Sequence, residues 1–133
     1  MDDNYNAERD RILGYEYRLF RYTIDKLPYF IMWINPSNGI IIMTNKITLE
    51  FLGYKKSELF TRSYFEVYKE FDKAMWLDFV KRLKEEGDNY ICFPKRQYYK
   101  KGGLTETIEI NFKYITFEDV DYVIAFAQKI REL

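Results

Sequence analysis

The sequence predicts an α+β domain with five strands and one long helix, preceded by a separate N-terminal helix. Three observations support this fold class. Two apolar strands flank a turn and lead into a short helix between residues 31 and 54, an amphipathic helix pattern covers residues 71–86, and three strand patterns follow it. We expect an antiparallel sheet with one solvated face, because the pattern at residues 104–116 alternates between apolar and polar side chains.

Composition limits the classes of function that are open to the chain. Its 133 residues suffice for one domain, and lysine plus arginine equals aspartate plus glutamate at 21 each. This balance provides no overall field towards nucleic acid or a membrane surface. The single cysteine, Cys92, cannot form an internal disulfide, which favours a reducing, cytoplasmic location. No apolar run reaches the length of about 18 residues that suggests a membrane span.

The absence of histidine excludes several kinds of chemistry. The chain cannot form a Ser-His or Cys-His pair, and it offers no imidazole to zinc or to a haem iron. The acidic pairs Glu85-Glu86 and Glu118-Asp119 are interpreted as solvated surface at a helix end and at a turn. Gly102-Gly103 stands between two strand patterns and is interpreted as a hairpin turn. We therefore predict that this chain is not an enzyme.

The N-terminal helix, predicted over residues 4–27 and ended by Pro28, carries two apolar stripes at helical spacing. We expect one stripe to cover the domain's own sheet. The other needs a second partner, and an identical helix is the simplest one, so we predict a homodimer. The first stripe consists of Leu13, Tyr17, Phe20, Ile24 and Leu27, and the second stripe, the predicted dimer interface, consists of Ile12, Tyr15, Leu19 and Tyr22.

The elements of the domain itself are predicted from periodicity and from residues typical of helix ends. Asn45 is predicted to be the N-cap of the short helix Lys46–Leu52, and Gly53 ends that helix. The long helix at residues 71–86 has its apolar residues on one side, and Gly87 ends it. Strands are predicted at residues 29–34, 40–44, 89–99, 104–116 and 120–128.

The stretch LGYKKSEL, from Leu52 to Leu59, resembles a consensus of the PAS domain family. In that family a glycine–aromatic pair, here Gly53 and Tyr54, leads into a Ser-x-Glu-Leu turn of helix. The order of strands and helices also resembles the family over about residues 27–131. The resemblance implies a five-stranded antiparallel sheet with the long helix across one face and a pocket between them. It further implies a sensory signalling module of a sensor kinase or transcriptional regulator.

The resemblance also divides the chain and locates the pocket. Residues 1–27 are expected to form a flanking dimerisation helix, and residues 28–133 the PAS domain. The pocket is expected to bind a small apolar ligand. The alternative is a packed core without a ligand, in which dimerisation is itself the function. The predicted pocket residues are Trp33, Met43, Phe51, Trp76, Phe79, Phe93, Ile108 and Ile110, with Asn45 as a secondary contact.

The sequence lacks the residues that bind two known cofactors of the family. Haem-binding members use a histidine, which is absent here. Flavin photoreceptors of the family carry a reactive cysteine in a region that here, at residues 59–68, contains none. Cys92 is interpreted as a small buried hydrophobe. The cofactor is therefore left unknown, with a non-covalent flavin held by Trp33, Trp76 and Asn45 as a minor alternative.

Partners are predicted from the hairpin and the C-terminus. Basic and aromatic residues cluster at residues 95–101, which suits nucleic-acid binding. The balanced net charge favours a solvated hairpin instead, so nucleic acid is not an expected partner. Lys129, Ile130 and Arg131 stand where the family has an Asp-Ile-Thr tripeptide that passes the signal to an output helix. We expect the output domain to lie outside this chain, or coupling to run through the N-terminal helix.

Overall fold

A computed structural model describes residues 3–130, so Arg131, the predicted end of the family resemblance, lies outside the described residues. The predicted helix and strand bounds all lie within two residues of the observed ones. No helix in the described range is long and apolar enough to cross a membrane. The helices are α1 (Asp3–Lys26), α2 (Lys46–Leu52), α3 (Lys56–Leu59), α4 (Tyr64–Val67) and α5 (Lys73–Glu85). The strands are β1 (Phe30–Ile34), β2 (Ile41–Thr44), β3 (Ile91–Tyr99), β4 (Thr105–Phe117) and β5 (Val120–Lys129).

The helices begin and end at residues that stabilise the free backbone groups of their terminal turns. Asp72 accepts a hydrogen bond from the Met75 amide at 2.8 Å and so begins α5. Ser63 caps α4 by accepting from the Phe65 amide at 3.1 Å. Gly53 ends α2 in the left-handed region, with φ of 81°, which confirms the predicted stop.

The strands form one five-stranded antiparallel sheet, as predicted. Their order in the sheet is β2-β1-β5-β4-β3. β1, the first strand of the chain, and β5, the last, are neighbours in the sheet. Phe30 at the beginning of β1 faces Ala127 near the end of β5, and Ile34 faces Val123. The α1–β1 junction and the end of β5 therefore lie at the same end of the sheet.

One face of the sheet is buried under α5 and the short helices, and we call it the inner face. In β1, Met32 and Ile34 are buried on the inner face, whereas Ile31 and Trp33 are half-buried on the opposite, outer face. This alternation follows from the two-residue repeat of a strand. In the other long strands the inner face consists of Ile108, Ile110, Phe112, Val123, Ala125 and Ala127.

α1 is about twice as long as β1, the strand that follows it. Its 24 residues span about 36 Å, whereas the five residues of β1 span about 17 Å. Ile24 of the first stripe is buried, but Leu13, Tyr17 and Phe20 are 50%, 66% and 49% exposed. The prediction that the first stripe covers the domain's own sheet is therefore wrong for most of the helix, because Leu13, Tyr17 and Phe20 stay about half exposed or more.

The β4–β5 hairpin projects beyond the other strands. β1 pairs with β5 as far as Val123, and β3 pairs with β4 as far as Phe112, so residues 115–122 pair only with each other. We call these residues the hairpin arm. Its turn residues Glu118 and Asp119 have φ of 50° and 64°, as a two-residue hairpin turn requires. The predicted turn is confirmed.

Candidate functional site

Aromatic rings fill the space between α5 and the inner face. The ring centroid of Phe79 lies 4.9 Å from that of Phe112 and 5.2 Å from that of Phe71. Tyr64 packs edge-on against Tyr98 at 5.9 Å. Pairs of this kind contribute roughly 0.5–1.5 kcal/mol beyond the area they bury. We call these rings the aromatic cluster, which consists of Tyr64, Tyr68, Phe71, Trp76, Phe79, Phe93, Tyr98 and Phe112.

Polar atoms deep in the aromatic cluster are hydrogen-bonded within the protein. The hydroxyls of Tyr64 and Tyr98 lie 2.6 Å apart, and burial raises the pKa of both phenols well above their usual range. The Trp76 indole Nε1 donates to the Pro36 carbonyl oxygen at 3.0 Å. A ligand placed here would displace rings and leave buried donors without partners, which is costly. The interior of the domain is therefore a packed core.

A cleft of about 390 Å³ opens beside the aromatic cluster, between α5 and β3. At its rim the Arg96 Nε donates to the Tyr68 hydroxyl at 3.0 Å and lies 3.3 Å from a Glu70 carboxylate oxygen. The Tyr68 hydroxyl donates to Glu70 in turn. Burial first, and then the Glu70 carboxylate, raises the pKa of Tyr68. The volume falls within the range of sites for small molecules, roughly 300–1,000 Å³.

Asn45 connects α1 to the sheet. Its Nδ2 donates to the carbonyl oxygens of Ile24 and Tyr29, each at 2.8 Å. Its Oδ1 accepts from the Ile31 amide at 3.1 Å and from the Thr48 hydroxyl. Asn45 is fully buried and stands at the N-cap position of α2, yet its side chain makes no capping bond. The prediction that it serves chiefly as a cap is wrong, and these bonds occupy the groups that a ligand would need.

Asp25 provides the cap of α2 instead. Its carboxylate accepts a hydrogen bond from the Lys46 amide at 2.7 Å. Ile24 and Asp25 are neighbours in the last turn of α1, and both bond to residues at the beginning of α2. The end of α1 is thus fixed to both β1 and α2, so the orientation of α1 is coupled to the domain.

A second concave surface lies on the outer face. α1 and the hairpin arm flank a groove of about 680 Å³, whose floor is formed by β1 and β2. Tyr17 on α1 and Phe117 on the arm are 66% and 64% exposed. Exposed apolar surfaces of this kind mark interaction sites. We call this surface the outer groove, and its apolar lining includes Tyr17, Phe20, Trp33, Met43, Ile115, Phe117 and Tyr122.

Comparison with known proteins identifies the fold. The sequence matches no protein-family model and no curated protein. The PAS domain of an HTR-like protein from Haloarcula marismortui is similar with a TM-score of 0.80 at 22% identity, over 93% of this chain and 99% of that chain. The PAS domain of nitrogen regulation protein NR(II) from Vibrio parahaemolyticus is similar with a TM-score of 0.69 at 12% identity, over 84% and 98%. The chain has the PAS fold.

A third solved structure is also similar to this chain. It is a domain of a sensory box sensor histidine kinase/response regulator from Geobacter sulfurreducens. Its TM-score is 0.68 at 14% identity, over 88% of this chain and 96% of that chain. At such identities the likeness concerns the fold.

The PAS fold brings together five of the predicted pocket residues and separates two others from them. Trp33 and Met43 face each other in the β1–β2 pair and line the outer groove, so their placement beside the long helix was wrong. The reason is strand alternation, since Met32 and Ile34 occupy the inner face on either side of Trp33. The five that meet at the inner face are Trp76, Phe79, Phe93, Ile108 and Ile110.

Phe51 belongs to a third location in the PAS fold. Its ring stacks on Phe30 at 3.9 Å, at the end of the sheet where β1 begins. The ammonium groups of Lys100 and Lys129 lie 4.9 and 5.3 Å from the Phe51 ring centroid. These contacts occur in a surface cavity apart from the aromatic cluster, so Phe51 does not line the predicted pocket.

Several cluster residues were missed by the sequence reasoning. Tyr64 and Tyr68 lie in and just after α4, whose four residues are too short for a periodic pattern to be read. Phe71 was placed at the beginning of the long helix but lies in the loop before it. Tyr98 follows the β3 register shift between Phe93 and Arg96, which moves its side chain to the inner face. Phe112, in contrast, was placed correctly on the buried face, because apolar and polar residues alternate in that part of β4.

The cysteine and the basic hairpin singled out in the sequence can be located in the structure. Within residues 3–130 there is no group of three His, Cys, Asp or Glu residues that could hold a metal ion. Cys92 is exposed, so its interpretation as a buried hydrophobe is wrong. Tyr98 is buried, and the basic residues of the β3–β4 hairpin largely pair with carboxylates instead of remaining free for phosphates. The pairs are Arg96–Glu70, Lys100–Glu106 and Lys101–Glu58.

Proposed function

We propose that the chain is a sensory signalling module that acts as a homodimer, with α1 and the outer groove as the interface. The second stripe of α1 carries this proposal. Ile12, Tyr15, Leu19 and Tyr22 are 48%, 59%, 49% and 63% exposed. A row of large apolar side chains on one helix face is typical of an interaction surface. A twofold dimer buries such a row against a second copy of the chain.

The signalling part of the proposal rests on analogy of fold. The similar structures belong to an HTR-like protein, a nitrogen regulation protein and a sensor histidine kinase/response regulator. A fold alone does not define a function. We therefore propose, by this analogy, that the module serves a sensor kinase or transcriptional regulator and is itself not an enzyme.

The attachment of α1 supports its role in signalling. Asn45 and Asp25 fix the end of α1 to β1 and α2 through hydrogen bonds of 2.7–3.1 Å. A change in the relative orientation of two α1 helices in a dimer would therefore act directly on the sheet. The division into a dimerisation helix, residues 1–27, and a PAS domain, residues 28–133, stays a prediction, and the end of α1 at Lys26 supports it.

Binding of a small apolar ligand is the second candidate function. The packed aromatic cluster favours the ligand-free alternative over a ligand enclosed in the core. The cleft beside the cluster supports a ligand at the surface, because Phe71, Phe79 and Phe93 form an apolar floor there. Arg82 and Arg96 lie over the Phe79 and Phe93 rings at 5.5 and 5.0 Å, where they could bind a polar group of the ligand.

Leu19→Asp should convert the dimer into a folded monomer. Leu19 lies near the centre of the second stripe, where an unpaired carboxylate is costly to bury. Sedimentation velocity should show the monomer, and thermal unfolding should stay cooperative because Leu19 is outside the buried core.

Ala7→Asp is the matched control for this variant. Residue 7 is exposed and lies away from both stripes of α1, so the variant should remain dimeric. A Leu19→Asp variant that is dimeric like wild type, or that is unfolded, would contradict the proposed interface.

A further inference from the structure

The hairpin arm has one apolar side and one polar side. The apolar side, on the outer face, consists of Ile115, Phe117, Val120 and Tyr122. Phe117 and Val120 are 64% and 49% exposed. On the polar side the Thr116 hydroxyl donates to the Asp121 carboxylate at 2.6 Å. A two-stranded ribbon with an uncovered apolar side is only marginally stable in water, so this side is suited to contact another surface.

The tip of the arm carries two uncompensated carboxylates. Glu118 and Asp119 both adopt positive φ, where Asn-Gly or Asp-Gly is usual. Among residues 3–130, neither carboxylate has a cation within ion-pair distance. The apolar arm therefore ends in negative charge, which indicates a partner surface that is apolar with a basic edge.

The second stripe of α1 is such a surface. Arg18 lies beside Ile12 and Tyr15 of this stripe. In the described part of the chain the Arg18 guanidinium, too, has no carboxylate at ion-pair distance. The stripe does not face its own outer groove, because Tyr17 and Phe20 of the first stripe line that groove and the two stripes point roughly 140° apart. A second copy of the chain is therefore the occupant that matches in both apolar character and charge.

We propose that the hairpin arm of each protomer holds α1 of its partner. The second stripe of the partner's helix packs against the apolar side of the arm, and Glu118 and Asp119 pair with the partner's Arg18. This inference rests on the proposed homodimer and identifies the part of the domain that grips the helix. Twofold symmetry makes the contact twice in each dimer.

Charge reversal followed by mixing tests the proposal. The double variant Glu118→Lys/Asp119→Lys and the variant Arg18→Glu should each weaken self-association at least about ten-fold, because each places like charges opposite one another. An equimolar mixture of the two should regain association close to that of wild type, because both contacts of the mixed dimer then join opposite charges. Sedimentation equilibrium measures the affinity, and native mass spectrometry identifies the mixed dimer by its mass.

Glu85→Lys/Glu86→Lys is the matched control, since it makes the same charge change at the exposed end of α5 and should leave association unchanged. Phe117→Ala, which changes no charge, should also weaken the dimer. Wild-type affinity in the tip variants or in Phe117→Ala, or a mixture that fails to regain association, would overturn the arm contact. The homodimer through α1 would still stand in that case, provided that Leu19→Asp is monomeric.

Discussion

Asn45→Asp should lower the free energy of unfolding by about 3 kcal/mol or more at neutral pH. The Nδ2 group of Asn45 donates to the carbonyl oxygens of Ile24 and Tyr29, and the residue is fully buried. A carboxylate here would face two carbonyl oxygens and lose both donated bonds. Asn45→Ala should also be severe, at about 2–4 kcal/mol, because it leaves buried backbone groups of Ile24, Tyr29 and Ile31 without their partner. Urea unfolding measures both values.

The Asn45→Asp variant should depend on pH in a defined direction. Burial against carbonyl oxygens raises the folded-state pKa of the introduced carboxyl above its unfolded value of about 3.9. The destabilisation relative to wild type should therefore be smallest near pH 4, where the group is protonated in the folded state, and should grow as the pH rises.

Asp25→Ala provides the comparison for Asn45, since Asp25 is the residue that caps α2. This substitution should lower the free energy of unfolding by about 1 kcal/mol. If Asn45→Asp is instead as stable as wild type and Asn45→Ala costs only about 1 kcal/mol, then Asn45 acts as a cap and the connecting role is wrong.

Phe79→Ala should lower the free energy of unfolding by about 3–5 kcal/mol, as expected for removing a buried ring from a packed core. Phe79 is 5% exposed and contacts the rings of Phe71, Phe93 and Phe112 at centroid distances of 4.9–5.3 Å. Leu104→Ala, at a side chain that is 74% exposed, is the control and should change stability by less than about 0.5 kcal/mol. Equilibrium unfolding measures both.

Binding of a small apolar probe distinguishes the two interpretations of the surroundings of Phe79, a packed core and a ligand-binding cleft. A packed core predicts that the wild type does not bind the probe and that Phe79→Ala shows the large loss of stability, because the substitution leaves a cavity in the core. A small stability loss combined with a clear change in probe affinity would contradict the packed core and support a ligand in the cleft.

Local periodicity was sufficient to predict most of the helices and strands. Where it failed to predict which face of a strand is buried, the failure has a physical cause. β4 alternates between polar and apolar residues from Thr107 to Tyr114, so its inner face was predicted correctly. β1 reads Phe-Ile-Met-Trp-Ile, with apolar residues on both faces, so nothing in it shows which face Trp33 occupies. The placement of Trp33 in the pocket therefore had no support from the pattern of β1.

Long-range contacts account for the other errors. Asn45 precedes a helix, as a cap does, but its hydrogen bonds reach residues 14 to 21 positions away, which a local pattern does not contain. The first stripe of α1 has the periodicity of a packed helix, but Tyr17 and Phe20 line an open groove and stay exposed, which periodicity alone does not show. The PAS-like sequence around Gly53 carried the fold prediction because it combines a helix stop with the next helix in one short segment.

Sedimentation equilibrium of the wild-type chain tests the homodimer most directly. Between about 1 and 100 µM, a range that covers weak to moderate dimers, the average mass should rise towards twice that of the chain. The same experiment on Leu19→Asp should give the mass of one chain throughout. A wild-type chain that keeps the mass of one chain at about 50 µM would contradict the proposed dimer, and with it the roles assigned to the second stripe and the hairpin arm.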